Sequence, residues 1–492
     1  MIRRHFDDEQ QRNRRQSRRF SLLAMPAVLI AGIPLCIVAS PVIFGVVVIA
    51  ASAIEAVSPP DPERWEGFRR IATALPDIWN AVRGRGGDVP WGALALLLIA
   101  PGMLVMLVAW PFVRHLSRVA GAGAILRLIP SREPAVASLA EQQFANAVEE
   151  MAVAGGVPVP AIRIIDSPAS NIVAIGLTAD DATILATTGF IGTLGRDERQ
   201  AMIAHLVGSV RNGDLEIAAV ILSVVETWAL LTALLEAVIY PGSRALVRDF
   251  LAACRKVIRR TLDAAEARSV MDRLLGGARP DPMAVAEAFM PRNLAGVAYG
   301  VLVLIPLLAT VGLASIAARH ASSLFVVLGF GPWFAAAWRA RRRLADATAV
   351  QLTRHPAALA SAIRKLDGVD VEIPDGWPVY FLFPVWVPIT AENAGRVHGG
   401  GEMVGMRLDA AARLETIATL SAGQVTAAPP GWRARLRRAL GTPREAATAL
   451  LWGAVALVIC ALLLAGSFAL TVWLLGLLWA LPRALFPPVP HS

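Results

Sequence analysis

Hydrophobic and polar positions follow two regimes along the chain. Runs almost free of charge at residues 20–57, 91–113, 294–318 and 447–481 approach or exceed the roughly 20 residues that cross a bilayer. Between them the pattern has the shorter periods of globular structure. "SLAEQQFANAVEEMAVAGG" places apolar residues at helical spacing and stops at Gly155 and Gly156. "AIRIID" and "ATILATTGFI" read as strands, and "GRDERQAMIAHLVGSVRNGD" reads as a helix with Asp197 at its N-cap. Residues 216–240 are apolar apart from Glu216, Glu226 and Glu236, and the short apolar run 322–338 leads into a helix, "RARRRLADATAVQL". "HPAALASAIRKL" and "DAAARLETIATL" are again helical, separated by "WPVYFLFPVWVP" and the glycine turn "HGGGEMVG".

Charge orients these segments. Residues 1–19 hold seven arginines against Asp7, Asp8 and Glu9, which places this tail in the cytoplasm. Residues 58–90 balance five arginines with five acids, as suits an outside loop. Trp91 and Trp110 are expected as interfacial anchors of the second span, which returns the chain to the cytoplasm at Arg114. The segment 241–293 reads as a soluble, basic insert, with ten positive side chains against six acids. Three candidate crossings separate the helices around 205 and 346, where a shared compartment needs an even number. Two solutions stay open: 216–240 does not cross, or it does and one of the later pair does not.

The chain therefore divides into six parts. These are a basic tail (1–19), an N-terminal transmembrane region (20–126), a first globular half (127–215), membrane helices with the 241–293 insert (216–340), a second globular half (341–430), and a basic juxtamembrane segment with a C-terminal transmembrane region (431–492). At 492 residues and 55% hydrophobic, with a mean hydropathy of +0.55 and 17% charged residues, the composition is that of an integral membrane protein with room for a soluble core. The net charge is +9, carried by arginine except at Lys256 and Lys365. On a membrane protein such arginine reports topology and contact with anionic lipid, and no basic-aromatic interleaving points to nucleic acid. Cys36, Cys254 and Cys460 form neither a CxxC pair nor an even framework, which excludes a disulfide scaffold and a cysteine zinc site.

The order of motifs resembles the HtpX-like membrane zinc metallopeptidases, relatives of the CAAX prenyl protease. "VEEMAVAGGVPVPAIRIID", "NIVAIG", "ATTGFIGTL" and "DERQAMIAHLVGSVRNGD" follow one another as in that family. The resemblance extends over roughly 130–420. It implies an α+β membrane protein, with a multi-span helical region and a zincin-like, HtpX-type peptidase domain facing the cytoplasm. It matches Asn171, Ala174 and Gly176 to an edge strand that forms the cleft. It matches Ala204, His205, Asn212 and Asp214 to the zinc helix, Ala345 and Asp346 to the third-ligand helix, and Arg413 to a late arginine. Asp214, Asp346 and Arg413 are then supporting residues.

The catalytic residues of that family are what this sequence lacks. A catalytic zinc needs three protein ligands and an open position, and two histidines at i and i+4 share one helix face. A glutamate beside the first takes a proton from the metal-bound water. Here the glutamate position is Leu206, the second-histidine position is Ser209 and the third-ligand position is Arg342. Loss of a general base alone costs about 10²–10⁴ in rate. An inward Arg342 at ~4 Å from a divalent ion would cost about 8 kcal/mol at an effective dielectric of ~20. Asp214 is nine residues past His205, two and a half helical turns, and is expected to face the other way. A rebuilt site would draw on His355 or His398.

These residues point to a pseudopeptidase with no catalytic residues, no metal and no cofactor, in which His205 is a hydrogen-bonded core histidine. The expected setting is a bacterial inner membrane, and the expected partners are membrane lipid and another membrane protein or peptide segment, added as a strand at the 171–176 edge. Two alternatives remain open. One is a divergent active zinc metalloendopeptidase. The other is a small-solute transporter or channel built on Glu226 and Glu236.

Overall fold

The computed structural model describes residues 91–127, 129–237, 240–276, 331–366 and 410–421, with a few positions between 32 and 43. The basic tail, most of the first apolar run, the 294–318 span, the aromatic stretch, His398 and the C-terminal apolar region lie outside the described residues. Among the described residues the chain is mostly helical, with one three-stranded sheet.

Helix α1 (Trp91–Ala120) is followed by the short α2 (Gly123–Leu126) and by α3 (Leu139–Gly155). The Ser138 side chain caps α3 by accepting from Glu141 N, and Gly156 ends it in the left-handed region at φ 63°. Strands β1 (Ala161–Ile165), β2 (Ile172–Ile175) and β3 (Thr183–Thr187) form a sheet in the order β1-β3-β2. β3 lies parallel to β1 and antiparallel to β2. The stretch expected as one strand through residue 191 instead turns at Thr187 into helix α4 (Thr188–Thr193). The reason is local: Thr187 Oγ1 accepts from Phe190 N at 3.1 Å, an N-cap that converts strand to helix.

Helix α5 (Arg196–Arg211) carries the His205 motif. Its N-cap is Gly195 rather than the expected Asp197, which sits in the first turn. Glu198 reaches back to accept from Gly195 N at 2.8 Å, and Lys365 and Ser361 in turn donate to Glu198 at 2.7 and 2.6 Å. α5 is the spine of the globular body. It packs against α3, α9 (Gly331–Thr353) and α10 (Pro356–Leu366), while α11 (Ala410–Ser421) lies against α9 and α10. The shared core runs through Phe144, Ile164, Ile184, Met202, Leu206, Leu359, Ile363 and Ile417. The two globular halves of the sequence are thus one hydrophobic unit. α9 itself runs continuously across the 340/341 boundary drawn from sequence.

The second assembly is α1, α6 (Asp214–Glu236), α7 (Pro241–Arg259) and α8 (Ala264–Gly276). Residues 98–120 of α1 and all of α6 are long and apolar enough, by length and composition, to cross a membrane. Leu104, Leu107 and Val108 of α1 form an exposed apolar face. The described part of the segment expected as a soluble, basic insert, residues 241–276, forms the amphipathic pair α7 and α8. Leu246, Phe250, Val270, Met271 and Leu274 seal this pair onto Val113 and Leu116 of α1 and Leu230 of α6. Trp110, expected at an interface, donates its indole N–H to Ser223 Oγ at 2.9 Å across the α1–α6 contact.

The α5–α9 approach depends on Gly208. A Cβ there would meet Thr348 Cβ at 2.9 Å and Ala345 O at 3.3 Å, so a side chain must push the two helices apart. Gly208→Val is expected to lower the stability of the purified protein by about 1–3 kcal/mol, read as reduced thermal unfolding temperature in mild detergent. An unchanged unfolding temperature would refute this close packing.

Candidate functional site

His205 lies in the middle of α5 and is buried. Its Nδ1 is 2.7 Å from Asp346 Oδ1 of α9, a close contact although the ring is not turned to make a linear hydrogen bond. Asp346 is itself held by α11. Arg413 donates from Nε to Oδ2 at 2.9 Å and from Nη2 to Oδ1 at 2.6 Å, with both side chains about 1% exposed. Two residues, each 67 or more positions away in sequence, thus converge on the Asp346 carboxylate.

A second carboxylate anchors the end of the motif helix. Gly213, at φ 77°, breaks the chain between α5 and α6 in a conformation that glycine adopts without strain. The break overturns the expectation that Asp214 faces away from the motif. An uninterrupted helix would carry it round, but after the turn Asp214 comes back to accept from the Ser209 hydroxyl and from Arg341 Nε. Arg341 Nη2 donates to Asn212 O at 2.7 Å, and Asn212 Nδ2 donates to Thr348 Oγ1 at 3.3 Å. Asn212 and Asp214 therefore tie α5 to α9 at the point where the two helices are closest.

Arg342 is also buried, with about 5% of its surface exposed. Burial first, then repulsion from Arg413, pushes its guanidinium down to about 9, against the pull of Asp346 and Asp214. It remains a cation at neutral pH. Burial would raise the Asp346 carboxyl, but Arg413, aided by His205, outweighs it and holds Asp346 well below the usual carboxylate range. Burial also lowers His205, an effect that Asp346 opposes only in part. The buried group is then a neutral imidazole, two carboxylates and three guanidiniums.

Leu206, at the general-base position, packs into the main core. Ser209 is committed to Asp214. Among the described residues no three His, Cys, Asp or Glu side chains converge as metal ligands. His355 is exposed, on the turn before α10. The donor set does not suit a zinc ion: one imidazole faces a carboxylate already claimed by Arg413, and a buried cation occupies the third-ligand position.

The cleft strand takes its place from the sheet. Asn171 O accepts from Thr187 N at 3.0 Å, so by antiparallel alternation residues 171, 173 and 175 bond towards β3. The N–H and C=O of Ala174 then point away from β3, on the side of β2 that pairs with no other strand among the described residues. All four β2 residues are buried, backbone included, so a partner strand could reach this edge only after what covers it moves aside. Gly176 follows the strand and packs against Ala182 and Leu215. Of the carboxylates expected to mark an ion path, Glu226 accepts from Ser117 at 2.8 Å and Glu236 from Ser243 at 3.4 Å. A groove of about 940 Å³ beside β1, lined by Leu126, Ile129, Pro130 and Arg163, includes no residue of the motif helices.

The missed features were Arg341 and the turn at Gly213. Arg341 sits in a run of four arginines whose simplest reading is a membrane-edge stop. Only the helix period, which puts Arg341, Ala345 and Thr348 on one face, could have marked it.

With this geometry in view, residues 138–262 match the sequence profile of Peptidase family M48. The chain is similar to the protease HtpX homolog of Ligilactobacillus salivarius, 30% identical over 220 residues, which is 44% of this chain and 55% of the relative. It is similar to the protease HtpX homolog of Listeria monocytogenes, 25% identical over 224 residues, 45% of this chain and 57% of the relative. A shorter match, 33% over 91 residues, links it to the protease HtpX homolog of Streptococcus equi subsp. zooepidemicus, with 18% of this chain and 31% of the relative covered. The chain thus spans between about a third and somewhat over half the length of these curated relatives. No solved structure matches. The resemblance to the HtpX-like membrane metallopeptidase family stands.

The buried pairs make a pH prediction. Groups whose folded pKa is depressed stabilise the fold above their unfolded pKa, and that stability is lost as pH falls towards the folded value. His205 begins to contribute this loss below its ordinary value of 6.5, and Asp346 adds to it below 3.8. Unfolding free energy should therefore fall on acidification, with His205→Gln flattening the upper part of the curve. At neutral pH, Asp346→Asn should cost about 3–5 kcal/mol by removing the carboxylate that answers Arg413. Asp346→Asn with Arg413→Met should cost less than the two single changes added together. Additive costs, or a curve unaltered by His205→Gln, would refute this coupling.

Proposed function

We propose that this HtpX-like chain is a membrane-embedded pseudopeptidase. It binds an extended segment of another membrane protein along the β2 edge and does not cut it. The carrying observation is Arg342, a buried cation at the third-ligand position, beside Asp346 already held by Arg413. A zinc ion placed here would meet a net positive cluster, three guanidiniums against two carboxylates already bonded to arginines, with one imidazole as its remaining donor.

Support for the membrane setting comes from α1 and α6 and from the uncovered apolar face of α1. Arg114 and Arg118 lie at the globular end of α1 and support a cytoplasmic position for the peptidase-like body by the positive-inside rule. The matched relatives are bacterial, which supports a bacterial cell membrane as the setting. Binding at β2 would use Ala174 as donor and acceptor, the mode of strand addition.

Bound metal per chain, measured by elemental analysis after purification in mild detergent without chelator, tests the reading. Wild type and His205→Ala are both expected to carry negligible zinc. Near-unit zinc in the wild type that vanishes in His205→Ala would overturn the pseudopeptidase in favour of a divergent active metallopeptidase. The variant Leu206→Glu, Ser209→His, Arg342→Glu restores the donors and is expected to raise zinc content towards one per chain.

A further inference from the structure

One face of α7 is left unanswered by the rest of the fold. Its inner face, Leu246, Phe250 and Ala253, is buried against α1, α6 and α8. Its outer face carries Arg244, Arg248, Leu251, Arg255 and Ile258, a spacing of four, three, four and three that stays on one side of a helix, with the exposed Arg259 at its end. Leu251 is 56% and Ile258 71% exposed. The carboxylates of the α7–α8 pair are committed elsewhere. Asp249 accepts from Arg273 at 2.5 Å and from Arg248 at 3.3 Å, Glu266 pairs with Lys256, and Asp272 pairs with Arg127 at 3.1 Å. Asp263 accepts from Glu266 N at the start of α8. Among the described residues no carboxylate pairs with Arg244, Arg255 or Arg259.

We infer that this face of α7 lies on the anionic surface of the bilayer, with its arginines on lipid phosphates and Leu251 and Ile258 at the acyl boundary. The inference rests on the reading of α1 and α6 as membrane helices, to which α7 is sealed, and not on the state of the His205 site. Large apolar side chains interleaved with unanswered arginines on a strongly amphipathic helix suit a lipid interface. A nucleic acid would take the arginines but leave Leu251 and Ile258 in water, and no aromatic residue lies on this face to stack a base.

The full chain, with Cys36, Cys254 and Cys460 replaced by alanine, would be given a nitroxide label at Leu251→Cys, at Ile258→Cys or, as a control on exposed α8, at Ser269→Cys. It would be placed in nanodiscs of phosphatidylcholine with or without phosphatidylglycerol, and label accessibility to oxygen and to a water-soluble nickel chelate measured. The labels at 251 and 258 should be shielded from nickel and open to oxygen when phosphatidylglycerol is present, while the label at 269 stays in water. Arg244→Gln and Arg255→Gln should each lower the immersed population about five-fold. Labels at 251 and 258 as open to nickel as 269, in discs that hold the protein, would overturn the inference and leave the membrane reading intact. A chain that stays monodisperse in water without detergent or disc would instead remove the membrane reading on which it rests. Immersion indifferent to phosphatidylglycerol and to the arginines would overturn the anionic requirement, and shielding seen only on adding RNA would assign the face to nucleic acid.

Discussion

The Asp346 carboxylate is the interaction on which the globular body depends. Taking a carboxylate and a guanidinium out of water costs several kcal/mol per ion, repaid only when geometry is good and the remaining lone pairs are used. Arg413 meets that condition with two bonds to the two oxygens, and His205 takes up a further contact. Removing either charge leaves its partner buried, which is far worse than never having had the pair. α5, α9 and α11 are therefore fixed to one another at a single point, although their sequences lie far apart.

Asp214 does the same at the C-terminal end of α5. It gathers Ser209 and Arg341, while Asn212 and Gly208 allow α5 and α9 to run in close contact. The positions that recur from the HtpX-like pattern, Asn212, Asp214, Ala345, Asp346 and Arg413, belong to this clamp. The positions that depart from it, Leu206, Ser209 and Arg342, are those that only a metal and its water would need. Leu206 adds to the core, Ser209 feeds Asp214, and Arg342 brings a buried positive charge. The side chains that clamp the helices together and the positions that a metal and its water would use are thus two different sets.

Much of the frame was legible in the sequence because its signals are local. Ser138 and Gly156 bound a helix by capping chemistry, and the period of the His205 segment is unmistakable. Errors arose where a few residues outweigh a longer pattern. Thr187 caps a helix inside a stretch whose composition reads as strand, and Gly195 with Glu198 takes the cap from Asp197. Gly213 reverses the direction that helix arithmetic gives to Asp214. The pairing of Asp346 with Arg413 could be reached only through the family pattern, since nothing in the spacing of residues 346 and 413 demands it. The seating of 241–276 was likewise hidden: amphipathicity shows that a helix has an apolar face, not which surface will cover it.

The polar residues of the apolar helices complete the argument. Glu226 and Ser117, and Trp110 and Ser223, join side chains of α1 and α6. In an apolar setting an unmet polar group is costly, so each such group constrains its helix until a partner is found. Here α1 and α6 satisfy one another, while α7 and α8 cover the apolar surface that remains between them. Two further ties run from this assembly towards the sheet and the loop before it: Asp181 accepts from Ala122 N at 3.1 Å, and Arg127 pairs with Asp272. Buried polar groups that close on neighbouring helices hold those helices in register, as Glu226 does with Ser117.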